Sequence, residues 1–294
     1  VKINGPEYVR VAAGELAIWE QPGDGAPILF CHATGFHARC WDQVIARLPG
    51  RRSIAVDMRG HGRSFRPHPP YSWRTFGEDI AELCRALGLR DAVGVGHSMG
   101  GHSVALAAAL APEAFSSLVL IDPVILPEEE YGRGPRAPHF ARKRRNRWTS
   151  PVEMFERFAD RDPFRRWDSA VLRDYCEYGL VPVPDGDGLV LACPPEIEAS
   201  IYENSTESDA NIYPEIARVA APVHVIRAAR RRSGGEVMDM MGSPTAPNLA
   251  SRFRQARDTT VEYSHFIPME APAWIADQIA AAVRLRAQKA CDHQ

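Results

Sequence analysis

The sequence predicts an α/β fold: a mostly parallel central sheet with helices on both faces, interrupted by one helical insertion. Three observations predict it. Short continuous apolar runs at Ile28–Cys31, Ser53–Val56, Asp91–Val95, Ser117–Ile121 and Val223–Ile226 recur between amphipathic stretches, as expected of strands buried on both faces and joined by right-handed crossovers. A glycine-flanked serine, Gly96-His97-Ser98-Met99-Gly100-Gly101, stands where one of these runs meets the helix-forming stretch Val104 to Leu110. From about Pro127 to Tyr213 the alternation stops, yet the aromatic and apolar content stays too high for a disordered linker.

Composition bounds the reading. With 294 residues, 45% of them hydrophobic, the chain can bury one large core. Residues 1–126 and 214–294 are assigned to it, and 127–213 to an inserted cap. A formal net charge of −2 gives no field that would recruit nucleic acid or an anionic membrane. The expected partner is a small molecule, and the oligomeric state stays open. No apolar run reaches the length of a membrane span, and Val1–Gly5 carries no charged leader, so a cytoplasmic location is expected. The six cysteines lack Cys-x-x-Cys pairing and zinc-type spacing with histidine; they read as reduced, mostly buried thiols, Cys31 included, with no metal site. No phosphate-binding lysine loop is present, and Gly94-Val95-Gly96 lacks the third glycine of a dinucleotide fingerprint, so no cofactor is expected.

In chain order, Glu7–Val11 and Glu15–Trp19 flank Gly14 and read as a β-hairpin. Ile28–Cys31 is a buried strand that ends in His32-Ala33-Thr34-Gly35-Phe36, a small-residue loop where backbone can approach a ligand closely. Trp41–Leu48 reads as a helix stopped by Pro49-Gly50. After the strand Ser53–Val56, the glycines of Asp57-Met58-Arg59-Gly60-His61-Gly62-Arg63-Ser64 mark a tight loop, with His61 structural. Trp73–Leu87 is helical by the spacing of Phe76, Ile80, Leu83 and Leu87, and Gly88 caps it. The strand Ser117–Ile121 ends at Asp122-Pro123, which puts a carboxylate on the sheet edge where ligands bind. In the insertion, the region around Arg142–Trp148, Pro151–Ala159 and Ser169–Tyr178 read as short amphipathic helices, and Val181–Cys193 as an extended segment. The basic run Arg142-Lys143-Arg144-Arg145 is either a solvated face or a site for an anionic group such as a phosphorylated thiol carrier. Val223–Ile226 resumes the sheet, Pro247–Phe253 reads as a helix, Thr260–Glu262 as the last strand and Ala273–Arg286 as the closing helix.

The chemistry gathers at Ser98. A strand-to-helix turn tight enough to expose a serine forces strained backbone on it and leaves no room for side chains at the flanking glycines. Such a turn aims the backbone N–H of Met99, at the start of the next helix, at the oxygen of a bound acyl group. A second donor belongs in the loop after Ile28–Cys31, at Thr34 or, failing that, Ala33.

Four motifs in order, His32 to Phe36, Asp57 to Ser64, Gly96 to Gly101 and His265-Phe266-Ile267-Pro268-Met269-Glu270, resemble the lidded branch of the α/β-hydrolase superfamily over nearly the whole chain. The resemblance implies the α/β-hydrolase fold, a nucleophile at Ser98, oxyanion donors at Met99 and Thr34, and a general base at His265. His97 and His102 read as core. The family's usual acid position falls here in Arg227-Ala228-Ala229-Arg230-Arg231-Arg232-Ser233-Gly234-Gly235, with no carboxylate. Certain dehalogenases, lactonases and fungal acyl-CoA hydrolases carry the acid one strand after the nucleophile, and this assigns the role to Asp122 ahead of Glu236 or Asp239. Substrate contacts are then expected from His32, Ala33, Phe36, Val124 and Phe266. The implied activity is hydrolysis of a carboxylic ester or thioester. Carbon–carbon bond hydrolysis, perhydrolysis and acyl transfer use the same residues, and a non-catalytic ligand-binding relative is the rival from another class.

Overall fold

The computed structural model describes residues 3–183, 186–229 and 242–291, with side chains as far as 284. Its elements run β1 (Asn4–Val11), β2 (Gly14–Gln21), β3 (Asp24–Cys31), α1 (Asp42–Ile45), β4 (Arg51–Val56), α2 (Trp73–Ala86), β5 (Ala92–His97), α3 (Met99–Leu110) and β6 (Phe115–Ile121). The middle of the chain supplies β7 (Arg147–Trp148), α4 (Pro151–Ala159), α5 (Ser169–Tyr178), β8 (Leu180–Pro182), β9 (Leu189–Leu191), α6 (Pro195–Glu203) and α7 (Tyr213–Ile216). β10 (Val223–Ala228), β11 (Ala256–Val261), α8 (Ile267–Glu270) and α9 (Pro272–Cys291) follow.

Eight strands form one sheet in the order β1-β2-β4-β3-β5-β6-β10-β11. The β1–β2 and β2–β4 pairings are antiparallel and all the others parallel. Side-chain alternation along the buried strands divides the core into two layers. Leu29, Ile54, Leu118 and Leu120 join Phe76, Ile80 and Leu106 of α2 and α3 on one face. Phe30, Ala55, Val119 and Ile121 join Trp41, Ile275 and Ile279 on the other, beneath α1 and α9. Each such side chain, fully buried, contributes about 1.5–3 kcal/mol. A continuous apolar run is therefore what a strand covered on both sides requires.

The segment between β6 and β10 divides by where it packs. Trp148, Met154, Trp167, Val171 and Tyr175, from β7, α4, α5 and the intervening loop, form a third cluster with Ala33, Phe36 and Phe266 over the carboxyl ends of the strands. Ile197, Ile201, Ile212 and Ile216, from α6, α7 and the chain between them, instead enter the first core layer. A small antiparallel sheet, β7-β9-β8, closes the outer side.

Several elements differ from the expectations. Trp41–Leu48 is a 3₁₀ turn, Ala38–Trp41, running into the single turn of α1. Pro247–Phe253 holds only the 3₁₀ turn Leu249–Arg252. The last strand starts at Ala256 rather than Thr260; it lies at the sheet edge, and its exposed Arg257 and Asp258 break the apolar pattern of a buried strand. The region around Arg142–Trp148 is a 3₁₀ turn followed by a two-residue strand. α6 escaped notice because Pro194-Pro195 reads as a break, whereas a proline in the first helical turn lacks only an N–H that the helix does not use.

Candidate active site

β5 and α3 meet at Ser98, whose backbone lies at φ 57° and ψ −118°. A non-glycine residue persists there only when its surroundings over-determine it. The Ser98 N–H donates to the Ile121 carbonyl at 3.0 Å, and the Ser98 carbonyl accepts from Gly101, His102 and Val124 at 3.0, 3.2 and 3.0 Å. The flanking glycines are obligatory: a Cβ on Gly96 would lie 2.3 Å from the Gly100 carbonyl oxygen, and one on Gly100 would lie 2.2 Å from that of Cys31. Gly100 thus packs α3 directly on the end of β3.

The serine hydroxyl lies 3.0 Å from Nε2 of His265, and His265 Nδ1 lies 2.6 Å from Oδ2 of Asp122. The three residues come from the ends of β5 and β6 and the loop after β11. All are at most 5% exposed, which strengthens hydrogen bonds to a charged partner. Asp122, at φ 43°, follows β6 in a turn anchored by its N–H on the Ile226 carbonyl, 2.7 Å away. Its other oxygen, Oδ1, accepts from Ser243 Oγ at 2.5 Å, the Ala228 N–H at 3.1 Å and Thr245 Oγ1 at 3.3 Å. Glu236 and Asp239, the alternative acids, and Arg230–Gly235 of the arginine-rich loop lie outside the described residues.

Met99 is the first residue of α3, where N–H groups have no intrahelical acceptor. The Thr34 hydroxyl donates to Met99 Sδ at 3.4 Å and ties the two expected donor segments together. Two neutral histidines brace this loop from below. His32 Nε2 accepts the Met58 N–H at 3.0 Å while its Nδ1–H donates to the Ala33 carbonyl, and His61 Nε2 accepts the Gly35 N–H at 3.0 Å. Burial pushes both down to about 3, so they keep the lone pairs these bonds require. Asp57 accepts the Ala38 and Arg63 N–H groups at 2.7 and 2.9 Å and joins the glycine-rich loop to the same segment. His97 is buried, and its Nε2–H donates to the His265 carbonyl at 2.8 Å; His102 donates to the Ala210 carbonyl at 2.9 Å.

A cavity of about 290 Å³ lies where the loop after β3 and Phe266 meet the segment between β6 and β10. Thr34, Phe36 and Phe266 form its inner wall, and Phe140, Phe158, Phe164, Trp167, Tyr175 and Tyr202 supply further aromatic lining. Two of the five expected substrate contacts, Phe36 and Phe266, therefore line it. The other three do not line it. His32 is turned beneath its loop by the bonds to Met58 and Ala33, Ala33 packs into the aromatic cluster, and Val124 packs on the first core layer while its N–H holds the serine turn. Ser243 and Thr245 were missed, because nothing in the sequence ties a Ser-Pro-Thr stretch to a carboxylate 121 residues away.

Three of the four residues of the basic run are in intrachain pairs. Arg142 pairs with Glu203, Arg144 with Glu198 at 2.5 Å, and Arg145 with Glu153 at 2.5 Å. Among the described residues no cluster of His, Cys, Asp and Glu could hold a metal ion, and no helix is long and apolar enough to cross a membrane. Cys31, Cys40, Cys84, Cys176 and Cys193 are buried and unpaired, and burial pushes the Cys31 thiol well above its usual range, away from a nucleophilic thiolate.

The family model described as the alpha/beta hydrolase family matches residues 28–278. An esterase of Mycobacterium tuberculosis is 37% identical over 123 residues, 41% of either chain. The 2-(acetamidomethylene)succinate hydrolase of Mesorhizobium japonicum is 36% identical over 115 residues, 38% of this chain and 41% of that one. A non-heme chloroperoxidase of Streptomyces lividans is 43% identical over 106 residues, 35% and 38% of the two chains. The matches span about two fifths of these relatives' own length. Among solved structures, an E-2-(acetamidomethylene)succinate hydrolase superposes with a TM-score of 0.70 at 23% identity, covering 95% of this chain and 98% of that one. The solved structure of the M. tuberculosis esterase gives 0.66 at 22% identity, covering 96% and 92%. At such identities the likeness is one of fold.

Proposed function

The chain belongs to the alpha/beta hydrolase family, and from that premise we propose that it hydrolyses carboxylic esters or thioesters through an acyl-enzyme on Ser98. The observation that carries this reading is the unbroken hydrogen-bonded chain Ser98 Oγ, His265, Asp122, with links of 3.0 and 2.6 Å. The Nδ1–H of His265 donates to Asp122, which leaves Nε2 unprotonated and facing the serine hydroxyl. Nε2 takes the hydroxyl proton as Oγ attacks the substrate carbonyl carbon, and Asp122 stabilises the imidazolium that results. The Met99 and Thr34 N–H groups hold the oxyanion, a role worth about 3–4 kcal/mol per donor in comparable sites. As the tetrahedral intermediate collapses, His265 returns the proton to the departing alcohol or thiol. A water molecule then gives a proton to His265 as it attacks the acyl carbon, and the second tetrahedral intermediate collapses by breaking the bond to Ser98 Oγ, which takes the proton back from His265 as the acid departs. We take residues 127–213 as the cap that shapes the acyl site.

The test is covalent labelling. A fluorophosphonate probe is expected to add to Ser98, located by peptide mass spectrometry, and Ser98→Ala protein should neither label nor turn over p-nitrophenyl acetate. Folded protein that resists the probe yet still binds small carbonyl compounds would make it a ligand-binding relative instead.

A further inference from the structure

Resting on the hydrolase reading, the cavity lined by Thr34 of the expected oxyanion loop and by Phe266, the neighbour of His265, narrows the substrate class. Its volume of about 290 Å³ lies at the small end for ligand sites, room for a compact acyl group rather than a long chain. Eight of its thirteen lining residues are aromatic. The ionisable groups facing it are Arg144, Glu198, Asp162, Tyr175 and Tyr202. Asp162 is held at the surface by Arg165 and Arg166, and burial pushes both tyrosines up, so they stay neutral.

Arg144 is the cation among these groups, and it is already paired. Nη1 meets Glu198 Oε2 at 2.5 Å and Nη2 donates to the Tyr175 hydroxyl at 3.0 Å. The Glu198 side chain is 5% exposed. Its carboxylate sits against the expected oxyanion loop, for a Cβ on Gly35 would lie 2.7 Å from Glu198 Oε1. An acyl group ending in a carboxylate would enter this space with no unpaired cation among the lining residues to meet it, and would face the buried carboxylate of Glu198. A neutral ring can pack on the aromatic side chains and brings no charge to the Arg144–Glu198 pair.

We propose that Glu198, by neutralising Arg144, restricts the site to neutral substrates with an aromatic acyl group and excludes acyl groups that end in a free carboxylate. Three ethyl esters test this, with hydrolysis followed by liquid chromatography: ethyl phenylacetate, ethyl butyrate, and monoethyl succinate, which replaces the terminal methyl of butyrate with a carboxylate. The expected kcat/KM order is phenylacetate above butyrate by about tenfold, and butyrate above succinate by at least about tenfold. In Glu198→Gln the butyrate-to-succinate ratio should fall by about tenfold or more, because Arg144 becomes free to take the substrate carboxylate. Equal turnover of butyrate and succinate by the wild type overturns the proposal, as does an unchanged ratio in folded Glu198→Gln. Should that variant not fold, the wild-type comparison decides. Isothermal titration of Ser98→Ala protein with phenylacetamide and succinamate separates the pocket from the chemistry. Preference for phenylacetamide supports the proposal even if no ester is turned over, and preference for succinamate ends it.

Discussion

Asp122 meets its partners through both carboxylate oxygens. Oδ2 holds His265, while Oδ1 is fixed by Ser243, Ala228 and Thr245. An asparagine at 122 can present its amide N–H to the imidazole and select the wrong tautomer, a change that costs about four orders of magnitude in kcat where it has been made in comparable triads. Asp122→Asn is therefore expected to lower p-nitrophenyl acetate turnover on that scale, and near-normal turnover would move the acid elsewhere. Ser243→Ala removes a neutral donor and leaves the Ala228 N–H, so kcat should fall by about tenfold with KM unchanged. Thr245→Val should do less, because its single hydroxyl proton lies closer to the Pro123 carbonyl, 2.7 Å against 3.3 Å to Asp122. Asp122 was legible as a carboxylate at a strand end. Its support was not, because Ser243 and Thr245 arrive from a distant segment whose path no local pattern encodes.

At the scale of elements, the turn between β5 and α3 depends on backbone touching backbone. Gly100→Ala would drive a Cβ to 2.2 Å from the Cys31 carbonyl oxygen, and neither partner is the end of a flexible side chain. Gly88, which follows α2 at φ 60°, has nothing within 4 Å of its missing Cβ. Alanine there costs only the left-handed backbone, about 1–2 kcal/mol. Thermal unfolding should show Gly88→Ala lowered by a few degrees and still active, whereas Gly100→Ala should be far less stable and inactive at temperatures where it remains folded. Comparable melting of the two variants would remove the close approach of α3 to β3 from the account. The turn was legible because sterics leave few sequences able to form it. The buried strands were legible because both faces must be apolar. The start of β11 and the whole of α6 were not: an edge strand tolerates charge, and a proline in a first turn looks the same as one that ends a helix.

For the whole molecule, the layered sheet could be read from the rhythm of the chain, but the cavity could not, because its walls come from the β3 loop, the insertion and the loop after β11 together. The same assembly buries histidines so deeply that nearby carboxylates, Asp57 for His61 and Asp209 and Glu215 for His102, do not offset the loss of solvent, and this sets how stability depends on pH. Burial lowers His32 and His61 to about 3, His37, His102 and His224 to about 4, and His97 well below its ordinary value, against about 6.5 in an unfolded chain. Between those values the unfolded state binds protons that the folded state refuses, so stability rises with pH and is lost as pH falls below about 6.5. Asp42, pushed up to about 6 mainly by burial, acts in the opposite sense but begins only near pH 6. The histidines outweigh it, and going from pH 7 to pH 5.5 should lower the free energy of urea unfolding by at least about 3 kcal/mol. His102→Gln keeps a donor for the Ala210 carbonyl and removes one titrating group, so the difference between the two pH values should shrink by about 1 kcal/mol. Equal stability of the wild type at both pH values would mean that these rings take up protons in the folded state, which the N–H groups of Met58 and Gly35, donating to His32 and His61, forbid.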